Sequence, residues 1–326
     1  MGARARFVGV GAALPQRSVT NAELEARLGV APGWIESRTG VRERRVLGPG
    51  GSLVDLADAA SREALDHAGL KATELDAVVV ATTSGPYLFP SLACQVHERL
   101  GLASQPAFDV AAACSGFPYA LSVADQGIRA GDYRTVLVVG ADRLHQFCDP
   151  QDGGTISLFG DGAGAVVLVR ETESSRGILA CRLRAVSAQW PILVLPAGAR
   201  RIEELTEPGA DPWMRMRGAD VFRIAVEQLV ELSRETLAAA GVAATELHLL
   251  VPHQANIRII RMMVAQLGID EDRVAMNLDR CGNTSAASIP IALREAVEAG
   301  RIGPGDLLLL NAVGGGMTAG AAVVRW

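Results

Sequence analysis

LDHAGLKATEL at Leu65–Leu75 and LAAAGVAATEL at Leu237–Leu247 are two nearly identical stretches of this sequence. Seven of the eleven positions are the same, and the copies lie about half the chain length apart. In each copy a helical pattern ends at a glycine, a short turn follows, and an apolar run typical of a buried strand begins. This spacing indicates two fused copies of one α/β unit. Chance similarity between two ordinary helix–strand junctions is the alternative.

Apolar runs and helical patterns alternate along the rest of the chain. Strands are predicted at Phe7–Leu14, Ala77–Thr82, Thr135–Gly140, Ala163–Val169, His248–Val251, Asp306–Leu310 and Ala321–Val324. Helices are predicted at Ser52–Ala68, Cys114–Ala130, Val221–Ala240, Ile257–Leu267 and Ser285–Ala299. Most of the strand runs are continuously apolar, as in strands buried on both faces. We therefore expect a layered α/β fold with two units, residues 1–173 and 174–326, divided within the polar stretch Glu171–Arg176.

Composition and charge restrict the classes of function. A net charge of −5 provides no overall positive field for nucleic acid or an anionic membrane. No segment approaches the roughly 20 uninterrupted apolar residues of a membrane span. The apolar run after Arg4 and Arg6 is short and broken by glycines, so it predicts a first strand rather than a signal peptide. The five cysteines are scattered without metal-ligand spacing, which favours a reduced, cytoplasmic chain without a metal.

Cys114 is the first candidate for chemistry. It lies in DVAAACSGF (Asp109–Phe117), where a run of small residues leaves room for a substrate and a helical pattern begins. Unpaired amides and the dipole at a helix N-terminus favour the thiolate, so we expect a lowered pKa for this thiol. A free cysteine is often only a small buried apolar residue, and this motif alone does not establish a nucleophile.

Three further candidates lie in the second half of the sequence. His253 follows a predicted buried strand, and ligand-binding groups of α/β sheets concentrate at such strand ends. Asn283 stands at a glycine-containing entry to a helix, where it is either a turn or cap residue or a functional amide. Gly314–Gly316 either form a tight turn or bring a backbone N–H to a thioester oxyanion. GDGAG at Gly160–Gly164 precedes a strand, which excludes a nucleotide-binding loop.

A cysteine, a histidine and an asparagine in this chain order fit two classes of enzyme. In a papain-like hydrolase the histidine activates the cysteine and the asparagine orients the histidine. The flanking pattern CGSCW of that class does not occur in this sequence, and a duplicated α/β fold does not suit it. The other class is a ketosynthase. A non-catalytic binding protein on the same fold is a third interpretation.

The motifs around these residues resemble those of the β-ketoacyl-acyl-carrier-protein synthase III family, in the thiolase superfamily. Seven collinear motifs over nearly the whole chain carry the resemblance: WIESRTGVRERR (Trp34–Arg45), FPSLACQ (Phe89–Gln95), AACSGF (Ala112–Phe117), LFGDGAGAVVL (Leu158–Leu168), PHQANIRI (Pro252–Ile259), GNTSAASIP (Gly282–Pro290) and GGG (Gly314–Gly316). The resemblance implies a thiolase-like fold in αβαβα layers. It also implies a homodimer that condenses an acyl thioester, from coenzyme A or acyl carrier protein, with malonyl-acyl carrier protein in fatty acid or polyketide-type biosynthesis, without a cofactor.

The resemblance assigns roles to the chemical candidates. By position Cys114 is the acyl acceptor, and His253 and Asn283 resemble the pair that binds the malonyl thioester carbonyl and promotes decarboxylation. The amides of Cys114 and Gly315 resemble an oxyanion hole, which suits a reaction that forms an enolate. Phe89 resembles the residue that reaches across a dimer interface to close the acyl tunnel of the partner.

Four residues outside this centre resemble binding residues of the family. Trp34 and Arg38 are similar to coenzyme A contacts, and Asn256 is similar to a pantetheine contact. Arg258 resembles part of a docking face for the carrier protein. Arg261 lies three residues after it on one predicted helix, a spacing that predicts a local cationic patch for an acidic carrier. An ordinary solvated helix face is the alternative for the two arginines.

The sequence departs from the family pattern at three places. The family often has an arginine at the position of Gly153, where it stacks on the coenzyme A adenine, and its loss should weaken adenine binding by about 1 kcal/mol. This departure favours a carrier-protein donor. Val186–Leu195 lacks the expected glycine-rich turn, and Trp190 and Pro191 there either reshape the mouth of the site or belong to a packed loop. Cys281 stands where tyrosine is common.

A related acyltransferase that acylates an alcohol or amine of a natural product is the alternative function, although the complete decarboxylation pair argues against it.

Overall fold

The computed structural model describes residues 2–173, 175–196 and 212–326. The strands in these ranges are β1 (Arg4–Ala13), β2 (Ser18–Thr20), β3 (Glu43–Arg45), β4 (Ala77–Ala81), β5 (Ala107–Val110), β6 (Thr135–Arg143), β7 (Asp161–Glu171), β8 (Gly177–Ala185), β9 (Leu193–Val194), β10 (Arg215–Met216), β11 (Leu249–Pro252), β12 (Leu307–Gly314) and β13 (Thr318–Arg325). The α-helices are α1 (Asn21–Leu28), α2 (Trp34–Thr39), α3 (Leu53–Ala68), α4 (Leu92–Arg99), α5 (Gly116–Ala130), α6 (Gly153–Ile156), α7 (Gly218–Ala240), α8 (Ile257–Leu267), α9 (Leu278–Cys281) and α10 (Ser288–Glu298). The expected division between residues 173 and 174 falls on residue 174, outside the described residues.

The repeated sequence folds into the same substructure twice. Helices α3 and α7 both end at a glycine in the left-handed backbone conformation, Gly69 and Gly241, each with a φ of 67°. In the following 3₁₀ turns, Glu74 and Glu246 each accept a hydrogen bond from the backbone N–H three residues earlier, at 2.8 and 2.7 Å. The two turns lead into β4 and β11. The shared geometry confirms that the sequence repeat is structural.

Both main sheets have the same strand arrangement. The first has the order β1-β7-β6-β4-β5 and the second the order β8-β13-β12-β11. In each sheet the first two neighbouring pairs are antiparallel and the third pair is parallel. Strand β5 completes the edge of the first sheet, whereas a single bridge between Leu250 and Val274 lies at the matching edge of the second sheet in the part of the chain described. The predicted duplicated α/β fold with mixed sheets is confirmed.

The two sheets and their helices stack in five layers. Successive residues of β6 point to opposite faces of the first sheet and so to different layers. Val136 and Val138 face the core that contains α5 and α10, while Leu137 and Val139 face the core under α3 and α4. Helices α7 and α8 cover the outer face of the second sheet. The layers therefore follow the expected αβαβα order, with two buried helices in the middle.

Each strand predicted from the sequence overlaps an observed strand. Near the site, however, two helices and one strand have ends that differ from the prediction because of contacts with distant residues. The helix expected from Cys114 begins at Gly116, and the helix expected from Ser285 begins at Ser288, each after a 3₁₀ turn. Strand β12 continues to Gly314 because it pairs with β13 along its whole length. Strands β5 and β8 were not predicted, since both lie at sheet edges and their half-exposed residues break the apolar pattern.

Candidate active site

Two cavities meet at Cys114. One, of about 500 Å³, is lined by Cys114, His253 and Asn283, and farther along by Trp34. The other, of about 680 Å³, is lined by Cys114, by Gly315 and by a largely apolar wall. Residues from both halves of the chain line both spaces. The structure thus brings the three chemical candidates to one cavity, and their roles in a reaction remain predictions.

Cys114 lies in a 3₁₀ turn between β5 and α5, and its side chain is only 6% exposed. The preceding Ala113 has a φ of +46°, a strained conformation for a residue other than glycine. Strand β12 packs directly on this turn: a Cβ atom on Gly314 would lie 2.8 Å from the backbone nitrogen of Cys114. Gly314–Gly316 therefore make a turn, which was one of the two interpretations from the sequence. Gly314 also packs against the backbone of Cys114.

The thiol of Cys114 is protonated at neutral pH. Burial raises its pKa to about 12, the hydroxyl of Ser285 lowers it, and the nearby carboxylate of Asp142 raises it. The prediction of a lowered pKa is wrong for this structure. Helix α5 begins two residues after the cysteine, and a helix terminus contributes only about 0.3–2 kcal/mol. Removing a thiolate from water costs more than that.

His253 follows β11, and its backbone N–H donates to the carbonyl oxygen of Asn311 on β12 at 2.8 Å. The Nδ1 atom of its ring lies 2.6 Å from the Oγ of Ser288. Burial lowers the pKa of His253 to about 3, so the ring is neutral. Among the described residues Nε2 has no hydrogen-bond partner, which leaves this nitrogen for a group in the cavity.

Asn283 is fixed by its own turn and by the segment before β7. Its Oδ1 accepts the backbone N–H of Ser285 at 2.9 Å, which identifies the other amide atom, Nδ2, as a donor without a partner in the described chain. The backbone of Asn283 also bonds to Leu158 and Gly160. A Cβ atom on Gly160 would lie 2.2 Å from the carbonyl oxygen of Cys281, so only glycine fits there. The role of Gly160 beside Asn283 was not predicted from the sequence. The available signal was the motif GDG directly before a strand.

Asp142 is a second residue that sequence reasoning missed. This fully buried carboxylate on β6 accepts hydrogen bonds from the backbone N–H of Thr83 (2.9 Å), the hydroxyl of Ser84 (2.7 Å) and the backbone N–H of Ala286 (3.3 Å). Burial raises its pKa. Asp142 joins the loop after β4 to the turn after Asn283, and a carboxylate directly after an apolar strand pattern was the available signal.

The residues expected to bind coenzyme A or pantetheine lie at the far end of the first cavity. The guanidinium carbon of Arg38 is 4.5 Å from the ring centroid of Trp34, a cation–π contact. A Cβ atom on Gly153 would lie 3.4 Å from the same indole, so Gly153 packs against Trp34. Asn256 caps α8 through the backbone N–H of Arg258 (2.9 Å) and donates to the carbonyl oxygen of Arg38 (3.2 Å). Oδ1 and one of the two Nδ2 hydrogens of Asn256 are thus used within the protein.

The remaining predicted residues lie outside the centre. The guanidinium of Arg258 donates to the carbonyl oxygen of Ser37 at 2.9 Å and lines the first cavity. Arg261 lies 3.4 Å from the carboxylate of Glu271, which offsets part of its charge. Phe89 is 83% exposed, and in its own chain it lines neither cavity.

The departures from the family pattern also have defined positions. Trp190 is 60% exposed in a 3₁₀ turn, whereas Leu193, Val194 and Leu195 after it line the second cavity. The unusual segment therefore shapes the apolar cavity. Cys281 is buried beneath the Asn283 turn.

Across the described ranges, no helix is long and apolar enough to cross a membrane, and no group of three or more His, Cys, Asp or Glu side chains is placed to hold a metal ion.

A buried cysteine that lines one cavity with an imidazole and an amide, on a duplicated αβαβα fold, is the arrangement expected of a thiolase-fold acyl-transferring enzyme. Residues 108–187 match the family model of 3-oxoacyl-[acyl-carrier-protein (ACP)] synthase III, and residues 237–326 match that of its C-terminal part. The chain is 47% identical over 323 residues to β-ketoacyl-[acyl-carrier-protein] synthase III 1 of Vibrio vulnificus, covering 98% of this chain and 99% of that protein. It belongs to the β-ketoacyl-acyl-carrier-protein synthase III family.

Further relatives agree with this assignment. The synthase III of Escherichia coli K12 is 46% identical over 321 residues, 98% of this chain and 99% of the relative. The crystal structure of 3-oxoacyl-[acyl-carrier-protein] synthase III from Aquifex aeolicus superposes with a TM-score of 0.91 at 41% identity, covering 99% of this chain and 100% of that one. The priming β-ketosynthase of the R1128 polyketide pathway has a TM-score of 0.93 at 35% identity, with 98% and 96% coverage. The resemblance drawn from the sequence motifs is confirmed.

Proposed function

We propose that this acyltransferase condenses an acyl thioester with malonyl-acyl carrier protein, with loss of CO₂, in fatty acid or polyketide-type biosynthesis. The observation that carries the proposal is a pair of side-chain nitrogen atoms at the cavity. Nε2 of His253 and Nδ2 of Asn283 have no partner among the described residues, and both residues line the cavity that reaches Cys114. Nδ2 of Asn283 is a donor, and Nε2 of the neutral His253 ring is one when it carries the ring proton. Two neutral donors at a cavity wall suit an oxygen that gains negative charge during the reaction.

In the first step Cys114 becomes acylated. Its sulfur attacks the carbonyl carbon of the acyl thioester, the carbon–sulfur bond of the donor breaks, and the thiol proton leaves with the donor as a free thiol. The backbone N–H groups of Cys114 and Gly315 stabilise the oxyanion. The second cavity, lined by Gly315 and apolar residues, accepts the acyl chain.

In the second step the malonyl thioester carbonyl accepts hydrogen bonds from His253 and Asn283. The carboxylate leaves as CO₂, and its electron pair forms an enolate whose oxygen lies against the two donors. The enolate carbon attacks the acyl carbonyl, and the Cys114 thiolate leaves and takes up a proton from solvent. The product is a β-ketoacyl thioester. Loss of one such donor typically slows a reaction by about two to three orders of magnitude.

The thioester substrates bring their own reactive groups, so the proposal includes no cofactor. Trp34 and Arg38 line the first cavity with Asn256, where they would contact coenzyme A or a pantetheine arm. Arg258 and Arg261 would receive the acidic carrier protein, with Arg258 the stronger candidate because Glu271 already faces Arg261. All five cysteines are free, which supports a reducing, cytoplasmic location.

We further propose a homodimer, each chain comprising the units 1–173 and 174–326. Among the described residues, strand β5 is an edge of the first sheet with no strand paired on its outer side, where an identical strand would pair. Phe89 is exposed three residues before Leu92, whose backbone N–H donates to Asp109 of β5, and would close the second cavity of the partner. Light scattering should give twice the chain mass of 34.2 kDa. A monomer at assay concentrations would contradict this part of the proposal.

The function is tested with malonyl-acyl carrier protein and a panel of acyl-coenzyme A and acyl-carrier-protein donors. We expect an acyl adduct on Cys114 by intact-mass analysis and a β-ketoacyl product on the carrier. Cys114→Ala is the control without adduct. An adduct without condensation for any donor would leave acyl transfer to an alcohol or amine as the activity. No adduct with any donor would favour a non-catalytic protein.

A further inference from the structure

Ser288 is the one hydrogen-bond partner of the His253 ring in the described part of the chain. Its Oγ lies 2.6 Å from Nδ1, and both residues are buried, with exposures of 1% and 4%. Ser288 is the first residue of α10, and no other hydrogen bond of its hydroxyl occurs among the described residues. A short contact between two buried groups restricts where the protons lie, because a buried hydroxyl hydrogen without an acceptor is costly.

The proton on each group follows from counting donors and acceptors. Neutral imidazole carries one N–H and one acceptor nitrogen, and a serine hydroxyl carries one hydrogen. If Nδ1 carried the proton, it would donate to Ser288, and the serine hydrogen would have no acceptor. If Ser288 donates to Nδ1, its hydrogen is bound and the imidazole proton must be on Nε2. The second arrangement satisfies every buried group.

The position of Ser288 is fixed by the turn that also fixes Asn283. Oδ1 of Asn283 accepts the backbone N–H of Ser285, and the carboxylate of Asp142 accepts the backbone N–H of Ala286. Helix α10 then begins at Ser288. The buried segment from Asn283 to Ser288 thus holds the amide of Asn283 directly and orients the imidazole of His253 through the hydroxyl of Ser288.

We propose that Ser288 is a positioning residue that holds His253 in the tautomer with its proton on Nε2. This inference rests on the proposed function, in which His253 donates to the malonyl thioester oxygen. In this tautomer Nε2 cannot accept the thiol proton of Cys114. Ser288 therefore serves decarboxylation and has no part in acylation of the cysteine. A papain-like pair, in which the imidazole is the base for the thiol, requires the opposite tautomer.

The test separates the two half-reactions in the full-length protein. Ser288→Ala removes the hydroxyl, and Ser288→Thr keeps it. Ser61→Ala is a matched control, because Ser61 is also fully buried and donates to a helix carbonyl at 2.6 Å, away from the cavities. Acylation of Cys114 is followed by intact mass, and CO₂ release is followed from carboxyl-labelled malonyl-acyl carrier protein. Melting curves establish that each variant is folded.

We expect Ser288→Ala to slow CO₂ release about 10- to 100-fold, by analogy with loss of an oriented donor. Acylation should stay within about three-fold of wild type, Ser288→Thr should restore most of the decarboxylation, and Ser61→Ala should change neither half-reaction. Equal loss of both half-reactions, or unchanged CO₂ release, would overturn the proposal. If the wild type acylates but never releases CO₂, the proposed function fails, and the tautomer is still decided by the next measurement.

Nitrogen-15 NMR of histidine-labelled protein reports the tautomer directly. The chain has five histidines, and His253→Asn identifies the signals of His253. We expect a protonated Nε2 and an unprotonated Nδ1 in the wild type, and a mixture or the reverse in Ser288→Ala. A wild-type ring protonated on Nδ1, or the same tautomer in wild type and Ser288→Ala, would refute the positioning role of Ser288.

Discussion

Replacement of Gly314 by alanine should impair Cys114 through a steric effect on the backbone. Gly314 is the last residue of β12, with φ −137° and ψ 174°, an extended conformation that alanine adopts without strain. Its added Cβ would lie 2.8 Å from the backbone nitrogens of Cys114 and Ser115 and 2.9 Å from the carbonyl oxygen of Ala112. These are backbone atoms, so no side-chain rotation relieves the contact.

The size of the effect follows from the displacement. Ordinary contacts of a Cβ atom begin at 3.4 Å, so the Cys114 turn and β12 must separate by about half an ångström. This shift moves the N–H of Cys114 away from the oxyanion. Complete loss of such a donor costs about two to three orders of magnitude, so a partial displacement should slow acylation about 10- to 100-fold. Overpacking should also lower the free energy of unfolding by about 1–3 kcal/mol.

Gly316→Ala is the matched control for Gly314→Ala. Gly316 has a φ of 77°, and the nearest atom to an added Cβ is 4.0 Å away. Alanine there costs about 1–2 kcal/mol of backbone strain but displaces nothing at Cys114. Quenched-flow intact-mass measurements give the acylation rate, and thermal melts give the stability. The reasoning is refuted if Gly314→Ala acylates at the wild-type rate, or if both variants slow acylation equally at equal stability.

Three further predictions concern buried residues, two in the site and one outside it. Cys114→Ala should abolish the acyl adduct in intact-mass spectra and leave a folded protein; an adduct that persists would place the nucleophile elsewhere. Burial lowers the pKa of His253 to about 3, so between about pH 6.5 and 3 the unfolded chain binds a proton that the folded chain does not. The contribution of this residue to the free energy of unfolding is therefore complete above about pH 6.5 and decreases on acidification. Between pH 7 and pH 5 in urea unfolding, His253→Asn should lose about 2 kcal/mol less of its unfolding free energy than the wild type. Equal losses in the two proteins would contradict this. Arg44 is fully buried and donates to the carbonyl oxygens of Val19 and Ser157, and burial lowers its pKa to about 10. Arg44→Met should lower the unfolding free energy by about 3 kcal/mol, and a change below about 1 kcal/mol would argue against this role.

Local sequence signals gave the helix ends that depend on nearby residues. Helix α8 has the predicted bounds, because the amphipathic pattern is regular and Gly268 follows as a C-cap. The N-terminus of α3 was also predictable from Ser52, whose side chain accepts the N–H of Asp55. The starts of α5 and α10 were not, since contacts with the other half of the chain impose the 3₁₀ turns there. Edge strands such as β5 were missed because half-exposed residues carry a weak pattern.

The sequence by itself determined the duplicated α/β fold, the family, and the identity of the candidate residues Cys114, His253 and Asn283, because repeats and motifs are recorded in residue order. Only the tertiary structure decided the protonation of the site. Burial by layers from both halves keeps the Cys114 thiol protonated and the His253 ring neutral, and no local motif contains that solvent exclusion. The structure also decided which atoms of His253 and Asn283 face the cavity, since Ser288 and Ser285 occupy the others. Hydrogen-bond direction depends on neighbours brought together by folding, and for that physical reason it had to be read from the fold.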